Sequence, residues 1–139
     1  KELAAIERVG DRVVLDDPRF REKLAAVEVE LKALELTQLR VVADERRAGG
    51  DRGRPNPASS ILKLKGSEIQ QKTTELLMDV VGPYALPYQR DADGRNEPLI
   101  GPEGAAEAAP TYFNYRKVSI YGGSNEIQRS IVAKAILGL

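Results

Sequence analysis

The chain is 139 residues long, 42% hydrophobic and 30% charged, and its 21 basic and 21 acidic residues cancel. These values fit one globular domain and give no electrostatic reason to invoke nucleic acid or an anionic membrane. Cysteine and histidine are both absent, which excludes disulfides, thiol nucleophiles, zinc–thiolate sites and imidazole acid–base chemistry within this chain.

Any catalysis must therefore use carboxylates, Lys, Tyr, backbone groups or a bound cofactor. No apolar run approaches the roughly 20 residues needed to span a bilayer, and no signal-like segment opens the chain. The expected setting is the cytoplasm. Leu3-Ala4-Ala5-Ile6 already reads as helical, like the end of a helix whose earlier turns precede Lys1, so a fragment is expected.

Asp16-Asp17-Pro18 marks a helix start: a carboxylate cap, then proline at the first helical position. Phe20, Leu24, Val27, Leu31 and Leu34 follow in steps of four and three, which lays an apolar stripe along one face. The pattern runs to about Arg47, a length of roughly 45 Å at the helical rise. Gly49-Gly50 is the expected stop. Arg46, Arg47, Arg52 and Arg54 suggest an anion-binding patch or a solvated loop; Asp44, Glu45 and Asp51 neutralise much of the charge and favour the loop.

Asn56-Pro57 repeats the cap-then-proline signal and opens a second long helix. Leu62, Gly66, Ile69, Thr73, Leu76 and Val80 form its stripe, with Gly66 and Thr73 as small residues admitting a close neighbour. Gly82-Pro83 ends it. Residues 83–109 read as a long irregular segment, with a helical turn conceivable in Gly-Ala-Ala-Glu-Ala-Ala; a loop of that length is functional or disordered. Pro110 is expected to start a short helix through Tyr112, Phe113, Tyr115, Val118 and Ile120, broken at Gly122-Gly123. Ser124 or Gly123 then caps a last helix carrying Ile127, Ile131, Val132, Ile136 and Leu137. No strand alternation and no internal repeat is found. The predicted fold is an all-α, up-down helical bundle with a truncated first helix.

The break at Tyr121-Gly122-Gly123-Ser124 is the most informative local feature. It leads into a helix amino terminus, which offers free N–H groups and partial positive charge, and two glycines let the backbone approach a flat ligand. Most glycine turns between helices are only turns. Tyr112, Phe113, Tyr115 and Tyr121 suit ring stacking or core filling. Glu68, Glu75 and Asp79 share one side of the second helix and read as surface charge, with Asp79 near the break at Gly82. Glu126 complements the last helix's dipole.

The stretch Ser119-Ile-Tyr-Gly-Gly-Ser-Asn-Glu-Ile-Gln-Arg-Ser-Ile-Val-Ala-Lys-Ala-Ile-Leu-Gly-Leu139 resembles the closing signature of acyl-CoA dehydrogenases. Ala58-Ser-Ser-Ile-Leu-Lys-Leu-Lys-Gly-Ser-Glu68 and Glu75-Leu-Leu-Met-Asp79 are similar to the same family, in a flavour like the large subunit of bacterial pimeloyl-CoA dehydrogenase. The resemblance implies a three-domain parent with FAD and an acyl-CoA thioester between domains, α,β-desaturation, reoxidation by an electron-transfer flavoprotein or similar acceptor, and a dimer or tetramer built on this bundle. It implies FAD contacts from Ser124, Glu126, Asp79 and Gly82, and substrate contacts from Tyr121, Gly122 and Gly123.

The departures are specific. Many members carry the catalytic glutamate where this chain has Gly122, so no catalytic residue is expected here; the base is expected upstream of Lys1, as in members that carry it on the preceding helix. The alternative is a non-catalytic partner or oligomerisation module. Gly122 retains the backbone N–H that the family uses to polarise the thioester carbonyl. Asp79 stands where glutamine is usual, and an acid sits badly beside a pyrophosphate. Pro83 replaces a second glycine, and the Arg-x-x-Phe element that often reaches the partner's FAD is not recognisable around Arg8 to Phe20.

Overall fold

The computed structural model describes residues 1–47, 56–89 and 98–139. The expected stop at Gly49-Gly50, the arginines at 52 and 54, and the middle of the long segment lie outside the described residues. Element order is α1 (Glu2–Ile6), β1 (Arg8–Val9), β2 (Arg12–Val13), α2 (Pro18–Arg47), α3 (Ser59–Val81), α4 (Ala105–Tyr115) and α5 (Asn125–Val132), with single 3₁₀ turns between some of them. The chain divides into two compact units, residues 1–26 with 71–116, and residues 27–70 with 117–139.

The caps form as their chemistry dictates. The Asp17 carboxylate accepts from the Arg19 and Phe20 N–H groups, both at 2.9 Å, a cap worth about 1 kcal/mol. Asn56 Oδ1 accepts from the Ala58 N–H at 3.0 Å, and Ser59 begins α3 two residues beyond Pro57. Gly82, at φ 54°, ends it.

In the first unit, α1 leads into an antiparallel hairpin pairing Arg8 with Val13 and Val9 with Arg12. Strands of two residues are too short for alternation to register, so they leave no pattern to read. The core joins Val81 and Ala85 to Ala105 and Ala108, with Leu3, Leu77 and Met78 against it. Ala108 is wholly buried; small side chains here let α4 lie close to the 3₁₀ turn Gly82–Ala85 that follows α3.

Helix α4 begins at Ala105, not at Pro110. Gly104, left-handed at φ 80°, breaks the chain just before it, and the alanines that follow are the best helix formers and bury two of their number. Pro110 therefore sits inside the helix, where it removes one backbone bond. The long segment also has an organised base: Gln89 and Ile100 exchange two hydrogen bonds, at 2.9 and 2.8 Å. Arg116 closes the C-terminal end of α4 onto α3, donating to the Gln71 carbonyl and Thr74 Oγ1 at 3.0 and 3.1 Å and to Glu75 at 3.0 Å. Its guanidinium stacks 4.2 Å from the Tyr112 ring centre.

In the second unit, Val27 and Val41 of α2 and Ile69 of α3 are buried, together with Val118. The apolar stripes are only partly inward. Leu31 is 53% exposed, and on the part of α3 that belongs to the first unit Thr73 is exposed while Thr74, beside it, is buried. The Thr74 hydroxyl settles this by donating to the Gln71 carbonyl at 2.8 Å. Gly66 also departs from its expected role. A methyl group built there would lie 4.0 Å from Leu34 Cδ2, an ordinary contact, so its neighbour does not require glycine.

Gly66→Ala should accordingly stabilise the chain by about 0.5–1 kcal/mol, since it removes a helix-interior glycine without a clash. Urea unfolding measures this; a loss of stability would show that α3 and α2 pack more tightly at that point.

Candidate functional site at the glycine turn

Two groups of expected site residues fall in different units. Tyr121, Gly122, Gly123, Ser124 and Glu126 belong to the second, and Asp79 and Gly82 to the first.

In the second unit a 3₁₀ turn ends at Ser119, and the Ile120 and Tyr121 N–H groups both return to the Lys117 carbonyl. Gly122 and Gly123 then take φ of 69° and 85°. Such angles cost an L-residue roughly 1–2 kcal/mol, which is why glycine occupies both. The two differ in surroundings. Nothing lies within 4 Å of a Cβ built on Gly122, whereas one on Gly123 would meet Gln128 Nε2 at 2.6 Å. Among the described residues no hydrogen bond engages the N–H of either glycine. Tyr121 is 55% exposed beside them. The turn thus presents unused donors on an open surface.

Ser124 is the N-cap residue of α5, extended at ψ 157°, as expected. Its hydroxyl does not cap backbone N–H groups; it supports Glu126 instead. The Glu126 carboxyl is held below the usual glutamate range by its own backbone N–H first, then by the Ser124 hydroxyl, with Arg129 and Lys63 adding positive charge. Glu126 is therefore an anion and a hydrogen-bond acceptor at neutral pH, and unsuited to donate a proton.

The residue that seats this helix is Asn125, which no sequence motif singles out. It is buried at the first turn of α5. Lys63 Nζ donates to Asn125 Oδ1 at 2.7 Å. Asn125 Nδ2 donates to Ser67 Oγ at 3.1 Å, and the Ser67 hydroxyl proton goes to the Leu64 carbonyl at 2.8 Å. That assignment satisfies every group and leaves the longer Ser67–Asn125 Oδ1 contact of 3.3 Å unused. A buried amide with all its partners fixes a helix start firmly. The one available signal is the position of Asn125 in the first turn of the last helix; nothing local marks Lys63.

In the first unit Asp79 lies three residues before Gly82 on α3. Its carboxylate accepts from Lys23 Nζ at 2.7 Å, an ion pair that raises the Lys23 pKa, first through the hydrogen bond and then through the Asp79 charge. A pair this exposed contributes at most about 1 kcal/mol to stability. The other carboxylates of that helix side are also paired, Glu68 with Lys65 and Arg129 and Glu75 with Arg116. Of the aromatic group, Tyr112 packs edge-on to Phe113 at 5.3 Å, and Phe113 and Tyr121 are exposed. No group of carboxylates able to hold a metal occurs among the described residues, and no helix among them is long and apolar enough to cross a membrane.

An all-α chain whose last helix is headed by an open glycine turn defines the class. Its residues 2–137 match the family described as "Acyl-CoA dehydrogenase, C-terminal domain", and the chain belongs to that family. It is 32% identical over 140 residues to acyl-CoA dehydrogenase IpdE1 of Mycobacterium tuberculosis, which covers 100% of this chain and 32% of that protein. Identity to the Mycolicibacterium smegmatis protein of the same name is 31% over 124 residues, 89% of this chain and 26% of that one. A chain in the crystal structure of the ChsE4-ChsE5 complex from Mycobacterium tuberculosis superposes with a TM-score of 0.69 at 25% identity, over 99% of this chain and 33% of that one. The chain thus spans between about a quarter and a third of the length of these relatives. The expected all-α fold of a C-terminal acyl-CoA dehydrogenase domain is borne out.

Ser124→Ala should move the Glu126 pKa up toward the ordinary 4.5, read by carboxyl NMR titration. The sign for stability follows: a lowered folded pKa favours the folded state above 4.5, and that benefit is lost as pH falls through the lower value. An unmoved titration would remove Ser124 from the carboxylate's support.

Proposed function

We propose that this chain is the C-terminal domain of an FAD-dependent acyl-CoA dehydrogenase that desaturates an acyl-CoA thioester between its α and β carbons. The observation that carries the reading is the unengaged Gly122 N–H in an open turn at the head of α5. Fixed donors aimed at a developing oxyanion are the largest single contribution in many such reactions. In this reading the Gly122 N–H donates to the thioester carbonyl and thereby acidifies the α-carbon, while Tyr121 and Gly123 line the same contact. Ser124 and the anionic Glu126 accept or share hydroxyl protons of the cofactor at the helix start; Asp79 and Gly82 take part at a second cofactor contact.

The residues fit that role in one respect: two glycines leave space and donors where a flat ring system must come near. FAD, when bound, supplies the acceptor for the β-hydride. The α-proton needs a base, and Gly122 has no side chain. We place that base in a part of the three-domain parent that precedes Lys1, and we propose an electron-transfer flavoprotein or similar acceptor, and a cytoplasmic setting. Self-association is supported by Ile127, Ile136 and Leu137, exposed apolar residues near the end of the chain, with Ile131 less so at 39%. The ChsE4-ChsE5 neighbour is itself an assembly of two different proteins.

Gly122 also favours a second reading, a non-catalytic module that assembles beside an active partner. The parent enzyme distinguishes the two. Anaerobic addition of acyl-CoA should bleach the flavin band of the FAD-loaded parent; a band that stays unbleached across acyl chain lengths would leave only the module. The 139 residues alone should purify without flavin, and stoichiometric FAD on them would contradict the interdomain site.

A further inference from the structure

The turn that carries Gly122 and Gly123 has little of its own to hold it. Glycine is the least restricted residue type, and the side-chain bond that reaches the turn is long, Gln128 Nε2 donating to the Gly122 carbonyl at 3.4 Å. Gln128 also donates its backbone N–H to the Ser124 carbonyl at 3.0 Å, so the turn is tied to the start of α5 and follows it. What places that start is polar. Asn125 is the buried residue of α5, whereas Ile127 is 56% exposed and Ile131 39%, so apolar packing does little to seat it. The seat is Lys63 of α3, whose Nζ donates to Asn125 Oδ1 at 2.7 Å. A hydrogen bond from a charged donor is roughly twice as strong as a neutral one, and unlike apolar contact it is directional. A second polar link between the two helices, Arg129 with Glu68 at 3.6 Å, is longer and open to solvent.

We propose that Lys63 is a positioning residue for the thioester contact: through Asn125 it fixes the start of α5, and with it the direction of the unengaged Gly122 N–H. The proposal rests on the thioester reading above and adds to it the residue that aims the donor. A donor stabilises developing charge only where it already points, and misplacement by about 1 Å costs on the order of a hundredfold in rate. A glycine turn cannot supply that fixity itself. Lys63 supplies it from another helix, 62 positions before Asn125. Without the ammonium, Asn125 Oδ1 is left buried and short of a donor. Ser67 Oγ lies 3.3 Å away, but its proton is committed to the Leu64 carbonyl at 2.8 Å. A buried acceptor without a partner is costly, so the start of α5 must shift to reach water, and the turn shifts with it.

The test uses the FAD-loaded parent carrying Lys63→Met, Lys63→Arg, Asn125→Leu, or Lys63→Met together with Asn125→Leu. Two quantities are read: amide hydrogen exchange over residues 118–130, and the carbonyl stretch of a bound, isotope-labelled acyl-CoA. Lys63→Met should speed exchange at the start of α5 roughly tenfold, leave exchange over α2 unchanged, and return the stretch part of the way to its solution value. Lys63→Arg keeps both donor and charge and should restore most of each. The double variant should go no further than the more affected single one, since residues acting through one contact are not additive. A Lys63 that served the fold alone would lower the unfolding temperature and leave the stretch where wild type has it. If Lys63→Met fails to fold, Lys63→Gln, neutral and one bond shorter, is read in its place. A displaced stretch in wild type that Lys63→Met leaves unmoved overturns the inference while the thioester reading stands. A wild-type stretch at its solution value overturns that reading, and the aim assigned to Lys63 falls with it. Exchange at the start of α5 that Lys63→Met does not alter overturns the inference whatever the stretch does.

Discussion

The approach to the last helix depends on two consecutive left-handed residues, Gly122 and Gly123 at φ 69° and 85°. No L-residue enters that region without strain, so the positions are fixed by backbone geometry before any chemistry is considered. The consequences run outward from there. The chain leaves Tyr121 exposed, turns the two N–H groups away from internal partners, and delivers Ser124 as the residue that opens α5. Room for a Cβ at Gly122 is ample, while at Gly123 the Gln128 amide occupies it. Both glycines are thus demanded by conformation; at Gly123 the flexible end of the Gln128 side chain would also have to shift.

Around this turn the polar groups are arranged by satisfaction of hydrogen bonds rather than by burial of charge. Asn125 is the buried member, and Lys63 and Ser67 complete it from α3. Glu126, held as an anion first by its own backbone N–H and then by the Ser124 hydroxyl, lies on the exposed side. The first unit uses the same logic with an ion pair, Lys23 with Asp79 at 2.7 Å. In both units a lysine from another helix, distant in sequence, sets the electrostatics of an otherwise local feature.

That distance decides what is legible in the sequence. Caps and breaks are local: Asp17 before Pro18, Asn56 before Pro57 and Gly82 after Val81 all act where their residue types place them. The family resemblance rests on local stretches too, from Ser119 to Leu139 and over residues 58–68 and 75–79. Pro110 misleads, because proline at a helix start is a statistical habit and the run of alanines after Gly104 has the stronger claim to helix. Thr73 and Leu31 mislead for another reason. Phe20, Val27 and Val41 on α2, and Ile69 and Leu76 on α3, keep heptad spacing and stay buried, so each buried stripe is narrower than the apolar pattern, and Leu31 and Thr73 fall on its exposed flank. Lys23 and Lys63 carry no signal at all, since pairing across 56 and 62 positions is settled only by packing.

The central claim is that this domain contributes a backbone donor, and not a base, to the thioester. It is tested most directly by the carbonyl stretch of an isotope-labelled acyl-CoA bound to the FAD-loaded parent, recorded with the Gly122 amide intact and with that N–H replaced by an ester oxygen through semisynthesis of the C-terminal segment. A donor role predicts a stretch displaced to lower frequency in the first protein and largely returned to its solution value in the second. The same frequency in both would contradict it.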